Sequence, residues 1–487
     1  MRGRRRLTWR NHTGNQVGHP RAMAQPATLE ELVALVRRAE RDGSTLKATG
    51  ARHAWSDVAL TDGTVVEPDE LGGLLPIDDG CLRDDAGADR LARVLAGTPL
   101  RVLNRALEAS GLALKNMGGY DAQTLAGVVS TSTHGSGLAF GPFPDAVRSL
   151  DLVIARGAIV RVEPEEGPTD PAAYAARHGD GRRLVQDDHV FAAAACGIGV
   201  MGILHSLVIE VREAFWLNEV RAVSSWEEVR DTLSADGVLG RHEHYEVFLN
   251  PYPDAAGRHR LLVTIRTPVP DPAGQPHDKL ERHPLTELQS AFPLTWVLVR
   301  LAARLHPAYV ASRFDWLLDR MADDGYASLS YKVYNIGEAN KIPAYSSELA
   351  VSLEDGRHLA AVDRILGIAA EQRERGRWHT SPIALRFVAP SRAYASMMHG
   401  RPTMMIELIM AADTRHGFEL LDVYEAGLAD LGIRPHWGQH NRLGAQTDLR
   451  ALYPRWDDWL AVYREFNATG VFDSRFTDRI GISVSAG

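Results

Sequence analysis

The pattern of apolar and polar residues divides the first 215 residues into short helices and strands. Residues 28–41 place leucines and valines at helical spacing behind a threonine, which predicts a capped amphipathic helix. Residues 44–49 predict a short strand that runs directly into Gly50. The same patterns predict three further elements: a helix over 100–110, a hairpin over 149–162 around a turn at 156–158, and a strand over 202–211.

The pattern changes between residues 216 and 434. Strand-like runs are predicted at 245–249, 260–267, 328–334, 348–353, 383–388 and 404–410, with helices at 355–375 and 415–431. Strands followed by helices at similar offsets indicate an antiparallel sheet covered by helices. We therefore predict a first domain over 1–215, a second over 216–434, and a C-terminal segment over 435–487 that returns to the first domain.

Composition excludes several classes of protein. The chain has 487 residues, 45% hydrophobic, and 54 Lys+Arg against 62 Asp+Glu give a net charge of −8. That balance provides no basic surface for nucleic acid, and two cysteines cannot form a disulfide framework or a cysteine-based zinc site. The longest uncharged apolar run, 190–204, is shorter than the ~20 residues of a membrane helix. We expect a cytoplasmic protein with no metal, nucleic-acid partner or membrane segment.

Three stretches rich in glycine or other small residues lie in the first 215 residues. Residues 197–202 match GxGxxG, but the residues from 203 onwards alternate as in a strand, whereas the dinucleotide motif requires a helix there. An NAD-dependent dehydrogenase is therefore a weak alternative. Residues 48–57 and 117–137 are similarly rich in small and hydroxyl residues. Together the three stretches predict a cofactor site, because their backbone amides can approach a phosphate or a flat ring closely.

These stretches carry a resemblance to a known family. The supporting segments read WRNHTGN at 9–15, GARHA at 50–54, TLAG at 124–127 with TSTHG at 131–135, GVMGI at 199–203 and PHWGQ at 435–439. In this order they resemble the flavoprotein oxidases of the vanillyl-alcohol oxidase type, in the sugar-lactone and alditol oxidase branch. The middle of the chain matches only loosely.

The resemblance implies an α+β fold in two domains, the VAO/PCMH-type FAD-binding fold with an inserted antiparallel-sheet cap that binds substrate. FAD would lie in the first domain and be completed by the C-terminal segment, with His53 bound covalently to its 8α carbon. We expect a single covalent link because no cysteine stands between 115 and 137. The implied FAD-binding residues are Thr49, Gly50, Ala51, Arg52, His53, Ala54, Gly118, Gly119, Thr124, Gly127, Ser130, Thr133, His134, Gly135, Gly199, Gly202, Ile203 and His436.

The resemblance also bears on the electron acceptor. In this family a small residue beside the flavin lets dioxygen approach, and the matching position is Gly118, or Gly119 if the register differs by one. We therefore expect an oxidase that releases hydrogen peroxide rather than a dehydrogenase.

The substrate positions depart from the family pattern. Relatives hold substrate with Glu-x-Arg, a histidine on the next strand and the lysine of H-W-x-K. Here the arginine is Arg386, but the other positions are Ala384, Glu407 and Gln439, and the serine of the second loop is Thr124. The pocket becomes more acidic, which leads to the hypothesis of an amino-sugar or aminoglycoside-type substrate whose ammonium faces Glu407. The alternative is that Glu407 pairs with Arg386 across neighbouring strands.

Roles follow from these residue types. Glu407 is the candidate base for the alcohol proton, with His436 as its rival. Arg386 would orient the substrate oxygen. The residues that would hydrogen-bond the sugar are Gln439, Thr124 and Tyr120. Alternative functions are an alditol, sugar-lactone or sterol oxidase, or a flavin-binding protein without turnover. For a sterol, methionines at 397, 398, 404, 405 and 410 would line an apolar pocket, although such methionines usually belong to a core.

Overall fold

The computed structural model describes residues 7–77, 79–234, 236–271, 295–336 and 343–484. Within these ranges the chain forms two large sheets, one built mainly from the first 215 residues and one from residues 216–435. Helices pack on both sheets. The predicted α+β class with an antiparallel-sheet second region is confirmed.

The N-terminal region holds a six-stranded sheet and a small parallel sheet. The order across the first is Arg183–Gln186, Ala158–Glu163, Val147–Ile154, Ile203–Glu210, Leu91–Leu95 and Leu74–Leu75. The parallel sheet orders Ala22–Ala24, Thr64–Val66 and Leu46–Ala48, and two short ribbons pair Trp9–Arg10 with Val17–Gly18 and Leu112–Ala113 with Arg212–Glu213. The accompanying helices are Leu29–Arg41, Leu100–Ala109, Leu125–Ser130, Pro171–His178 and Asp188–Ala194.

Local chemistry explains the elements that the sequence predicted here. Thr28 caps the first helix by accepting from the backbone N–H of Glu31, and the Glu31 carboxylate accepts from the N–H of Ala27. The predicted hairpin forms between Val147–Ile154 and Ala158–Glu163, whose strands pair antiparallel. Both predictions are confirmed.

The second region is an eight-stranded sheet in which all neighbouring strands are antiparallel. Its order is Asp323–Leu329, Trp216–Ser225, Arg260–Val269, His244–Leu249, Ile383–Val388, Thr403–Ala411, Ala344–Ser352 and Arg434–Pro435. The helices of this region are Trp226–Val229, Val238–Arg241, Thr295–Leu305, Pro307–Ala311, Phe314–Met321, Ser330–Tyr334, Arg357–Glu374 and Gly417–Gly427. The helices Arg357–Glu374 and Gly417–Gly427 bury leucines, valines and alanines in one core with the sheet.

One predicted strand, 328–334, is wrong. The strand there is Asp323–Leu329, and residues Ser330–Tyr334 turn into a short helix. The hydroxyl groups of two tyrosines explain why a helix forms here instead of a strand. Tyr331 donates to Glu108 at 2.7 Å, and the Tyr334 hydroxyl lies 3.0 Å from Nε2 of His244. These tertiary contacts override the strand propensity of the two tyrosines.

The C-terminal segment folds back onto the N-terminal region through the helices Leu449–Leu452, Trp456–Phe466 and Arg475–Arg479. The N–H of Leu46 donates to the carbonyl of Val471 at 2.9 Å, and Nε1 of Trp459 donates to the carbonyl of Cys196 at 3.0 Å. The segment therefore shares a core with residues 1–215, while the three domain boundaries stay a prediction. Within the described ranges, no helix combines the length and apolar character needed to cross a bilayer.

Candidate active site

The first candidate loop follows an edge strand of the small parallel sheet. The strand Leu46–Ala48 ends at Ala48, and residues 49–54 turn away from it, with Arg52 at a φ of 57°. The guanidinium of Arg52 forms an ion pair with Glu67, which holds the turn against the following strand.

The second loop meets the first at a point of close approach. Thr124 caps the helix Leu125–Ser130 by accepting from the backbone N–H of Gly127. A Cβ atom at Gly50 would lie 2.3 Å from Oγ1 of this threonine, so only glycine fits there without displacing Thr124. Gly50 and Thr124, which sequence analysis assigned to different loops, thus lie directly against each other.

The third loop is the GxGxxG segment, and its surroundings exclude the dinucleotide interpretation. The helix Asp188–Ala194 precedes it, and the strand Ile203–Glu210 follows it, which is the reverse of the order that the dinucleotide motif requires. The amine of Lys47 donates to the carbonyl of Gly199 at 2.8 Å. Burial lowers the pKa of Lys47 to about 7, against the opposing effect of Asp57 and Asp473.

A cavity of about 360 Å³ joins the three loops to the face of the eight-stranded sheet. With one exception, every residue predicted for the site lines it. These residues are Thr49, Gly50, Ala51, Arg52, His53, Ala54, Gly118, Gly119, Thr124, Gly127, Ser130, Thr133, His134, Gly199, Gly202, Ile203, Arg386, Glu407, His436 and Gln439. The exception is Gly135, which does not line the cavity; a Cβ atom there would lie 2.6 Å from the carbonyl oxygen of Met117.

Two buried polar atoms on the cavity wall indicate a polar ligand. The hydroxyl of Thr49 and the indole N–H of Trp55 find no hydrogen-bond partner within the described ranges. Buried donors are rarely left unpaired in folded proteins. Together with the glycine-lined walls, these atoms fit an extended, polar cofactor such as FAD.

His53 lines the cavity and lies among aromatic rings. Its ring stacks on Tyr120 with centroids 4.3 Å apart, and the centroids of Trp55 and His12 are 4.9 and 5.4 Å away. Burial, reinforced by His12, lowers the pKa of His53 to about 3. The imidazole is therefore neutral near pH 7 and has a lone pair available for bonding.

Arg386 is the centre of a buried polar cluster at the sheet face. Its Nε donates to Glu246 at 2.8 Å and its Nη1 donates to Glu407 at 2.6 Å. This pairing is the alternative to the ammonium hypothesis: Glu407 is neutralised by an arginine within the protein. The charge of Glu407 therefore does not require a cationic substrate.

The structure adds three residues that sequence analysis missed: Glu348, Ser346 and Lys47. Glu348 lies opposite Glu407 in the register of neighbouring strands and lines the cavity. Gln439 connects the two carboxylates, because its amide N–H donates to Glu348 at 3.1 Å and lies 3.5 Å from Glu407, while Ser346 donates to its carbonyl at 2.6 Å. A Ser-Ser-Glu run within an apolar strand was the available signal.

The Nε2 atom of His436 is a hydrogen-bond donor. Its Nδ1 accepts the backbone N–H of Gly438 at 3.0 Å, so the ring proton lies on Nε2. Burial lowers the pKa of His436 to about 4, although Glu348 opposes the shift. A neutral imidazole with an occupied Nδ1 is a poor proton acceptor.

The five methionines considered for a sterol pocket belong to the protein interior. Met397, Met398, Met404, Met405 and Met410 are each 0% exposed, and none of them lines the cavity. The interpretation of these residues as core is confirmed.

Comparison with known proteins agrees with this geometry. Residues 207–480 match the model of the D-arabinono-1,4-lactone oxidase family, and residues 20–163 match that of an FAD-binding domain. L-gulono-1,4-lactone dehydrogenase from Mycobacterium tuberculosis is 27% identical over 97% of this chain and 98% of that protein. Alditol oxidase from a Streptomyces species is 27% identical over 96% of this chain and 97% of that protein.

The fold also has solved counterparts. Cholesterol oxidase from Brevibacterium sterolicum superposes with a TM-score of 0.72, covering 98% of this chain and 97% of that chain, at 13% sequence identity. At this identity the likeness concerns the fold alone. The predicted FAD-binding fold is confirmed.

Proposed function

Because the chain belongs to the D-arabinono-1,4-lactone oxidase family and is an FAD-dependent oxidoreductase acting on CH–OH groups, we propose that it oxidises a hydroxyl of a sugar lactone or alditol and passes the electrons to dioxygen. One observation carries the proposal: the cavity between the three glycine-rich loops opens onto the polar cluster of Arg386, Glu407 and Gln439. A cofactor held by the loops would meet a hydroxylated substrate held by the cluster.

The substrate class follows from the pairing within the cluster. A neutral polyol or lactone needs hydrogen-bond donors and acceptors, and the cluster offers both. An amino sugar would gain from an unpaired carboxylate, but Glu407 already accepts from Arg386 at 2.6 Å. We therefore prefer sugar lactones and alditols over the amino-sugar hypothesis.

The proposed chemistry assigns one task to each residue. FAD supplies the hydride acceptor, and the chain must remove the hydroxyl proton and hold the substrate carbon in place. Glu407 is the proposed base, because its side chain is 14% exposed toward the cavity whereas that of Glu348 is 3% exposed. Arg386 is held from behind by Glu246, and its Nη2, which has no partner within the described ranges, would donate to the substrate oxygen.

His53 is the proposed site of covalent attachment to the flavin. Its neutral imidazole lies at the cavity wall, and a nitrogen lone pair is what bonding to the 8α carbon requires. Wild-type protein precipitated with acid is expected to stay yellow and to fluoresce on a denaturing gel. His53→Ala should lose the colour on precipitation, and His12→Ala, which changes a neighbouring ring only, should keep it. Release of the flavin from wild-type protein would contradict the attachment.

Peroxide release tests the activity as a whole. Purified protein is mixed with L-gulono-1,4-lactone, D-arabinono-1,4-lactone, xylitol, sorbitol, glucosamine or cholesterol in air-saturated buffer, and hydrogen peroxide is measured. We expect turnover with a lactone or an alditol. If glucosamine alone were oxidised, the substrate class would be wrong. If no compound bleached the flavin under anaerobic conditions, the protein would be a flavin-binding protein without turnover.

The electron acceptor is tested with the same substrates. One relative is named a dehydrogenase and another an oxidase, so both outcomes are chemically open within the family. An oxidase reoxidises its reduced flavin rapidly in air, whereas a dehydrogenase needs an added dye. Because Gly118 and Gly119 line the cavity, we propose the oxidase.

A further inference from the structure

Tyr120 of the second loop lies directly against His53 of the first loop. Its aromatic ring is half-buried and lines the cavity. The ring stacks on the His53 imidazole with centroids 4.3 Å apart and planes inclined by 20°. This contact goes beyond the hydrogen bond to the sugar that the sequence predicts for Tyr120.

The orientation of the His53 ring depends on contacts with other rings. Within the described ranges, neither ring nitrogen of His53 makes a hydrogen bond or an ion pair. The torsion that turns an imidazole about its Cβ–Cγ bond has a broad preference, so a ring without such bonds is not fixed by itself. Trp55 and His12 meet the ring at 51° and 44°, whereas Tyr120 lies nearly flat against it. The flat contact opposes rotation of the imidazole, because a turned edge would collide with the facing ring.

The backbone around Tyr120 is anchored on both sides. The carbonyl of Gly119 accepts the N–H of Ile336 at 3.0 Å. The carboxylate of Asp121 accepts from the side-chain amide of Asn335 at 2.7 Å. Both donors belong to the second region, so the loop that carries Tyr120 is fastened to the sheet domain at the two positions next to the ring.

We infer that Tyr120 is a positioning residue for the covalent attachment of FAD, because its ring fixes the plane of the His53 imidazole while a ring nitrogen bonds to the 8α carbon. The inference rests on the attachment proposed for His53. Attachment forms one N–C bond and breaks one C–H bond, and the protons of that C–H and of the imidazole N–H are released. The electron pair of the broken bond passes through the flavin to dioxygen, which takes up both protons as hydrogen peroxide.

Orientation is the requirement that the chain must meet for this step. Burial, reinforced by His12, lowers the pKa of His53 to about 3, so the nitrogen lone pair is already present near neutral pH. A group that is present but misdirected reacts slowly, and a misplacement of about 1 Å can cost about 100-fold in rate. The rate of attachment should therefore depend on the ring at position 120 and not on its hydroxyl group.

The experiment measures how fast FAD becomes resistant to acid release from the full-length protein. Protein produced under riboflavin limitation is mixed with FAD in air-saturated buffer without substrate, and samples are precipitated with acid at intervals. We expect Tyr120→Phe, which keeps the ring, to attach FAD at the wild-type rate. Tyr120→Leu removes the ring and should attach FAD at least about tenfold more slowly. Tyr309→Leu, which removes an exposed tyrosine, is the control and should match wild type. FAD bound before precipitation is measured in parallel, to separate binding from attachment.

Attachment at the wild-type rate in Tyr120→Leu would overturn the inference. Slow attachment in Tyr120→Phe would overturn it as well, since the hydroxyl group would then be what matters. Loss of FAD binding in Tyr120→Leu would show that the ring holds the cofactor rather than orients His53, which also contradicts the inference. Wild-type protein that binds FAD but releases all of it in acid would instead refute the attachment at His53. No sugar compound is present, so these outcomes do not depend on the proposed substrate class.

Discussion

The Nη1 of Arg386 donates to Oε2 of Glu407 at 2.6 Å, across the neighbouring strands Ile383–Val388 and Thr403–Ala411. The carboxylate that sequence comparison marked as a new negative charge is thus part of an internal ion pair. A buried pair of this kind sets the orientation of both side chains, and removing one partner leaves the other charge uncompensated. Substitution of Glu407 therefore tests the role of this ion pair.

Glu407→Gln is expected to lower the rate of flavin reduction by substrate at least about 100-fold, the low end of what a positioned base contributes. Anaerobic stopped-flow absorbance measures this step directly. Glu425→Gln is the matched control, because Glu425 is also buried but accepts from the backbone N–H of Arg442 outside the cavity. Burial raises the pKa of Glu425 to about 7, so the neutral glutamine changes little there. A Glu407→Gln protein that reduces its flavin at the wild-type rate would remove Glu407 from the role of base.

Gly50→Ala is expected to reduce the FAD content of the purified protein, because the new methyl group would lie 2.3 Å from Oγ1 of Thr124. The ratio of flavin to protein absorbance measures the loading. Adding Thr124→Ala removes that oxygen, at a cost of about 1 kcal/mol for the lost helix cap, and should raise loading in the double variant to that of Thr124→Ala alone. Equal loss of FAD in the single and double variants would show that the contact is not the cause.

Gly118→Ala is expected to slow the reaction of the reduced flavin with dioxygen while leaving substrate reduction nearly unchanged. A Cβ at Gly118 would lie 3.1 Å from the carbonyl oxygen of His134, which a small shift relieves, whereas a Cβ at Gly119 would lie 2.9 Å from the side chain of Ile336. Oxygen-jump stopped flow of the pre-reduced protein separates the two half-reactions. If Gly118→Ala reacts with dioxygen as wild type and Gly119→Ala does not, the controlling position is Gly119.

The loops and the main substrate residues could be predicted because their signals are local. The sequence shows Gly50 directly after Thr49 and Gly127 three residues after Thr124. The spacing from Arg386 to Glu407 and Gln439 is equally readable along the chain. All of these residues line one cavity. The strand at 203 that excludes a dinucleotide site was likewise visible as alternation.

The pairing of distant strands could not be predicted from the sequence. Glu348 faces Glu407 only because Ala344–Ser352 pairs antiparallel with Thr403–Ala411 in one register, and a shift of one residue would turn both carboxylates to the other face. The contact between His134 and Glu348 depends on the same register. Non-local pairing also decided the one wrong strand, where Tyr331 and Tyr334 found partners far along the chain.

Buried neutral histidines are expected to make the protein less stable in acid. Burial lowers the pKa of His379 to about 3, and the pKa values of His53 and His244 to about 3 as well. The unfolded chain takes up these protons below its ordinary histidine pKa near 6.5 and the folded chain does not. The stability they contribute is therefore complete above pH 6.5 and is lost as the pH falls toward 3.

His379 allows this prediction to be tested away from the cavity. Neither of its ring nitrogens has a partner within the described ranges, and the ring lies edge-on to Tyr424 at 5.8 Å. His379→Phe should make the decline in unfolding free energy between pH 6 and 4.5 shallower by about 1.4 kcal/mol per pH unit, the slope that one fewer proton produces. Urea unfolding at several pH values measures this slope. His306→Phe changes an exposed histidine and should leave the slope as in wild type. Identical slopes for His379→Phe and wild type would mean that His379 is already protonated in the folded protein at these pH values.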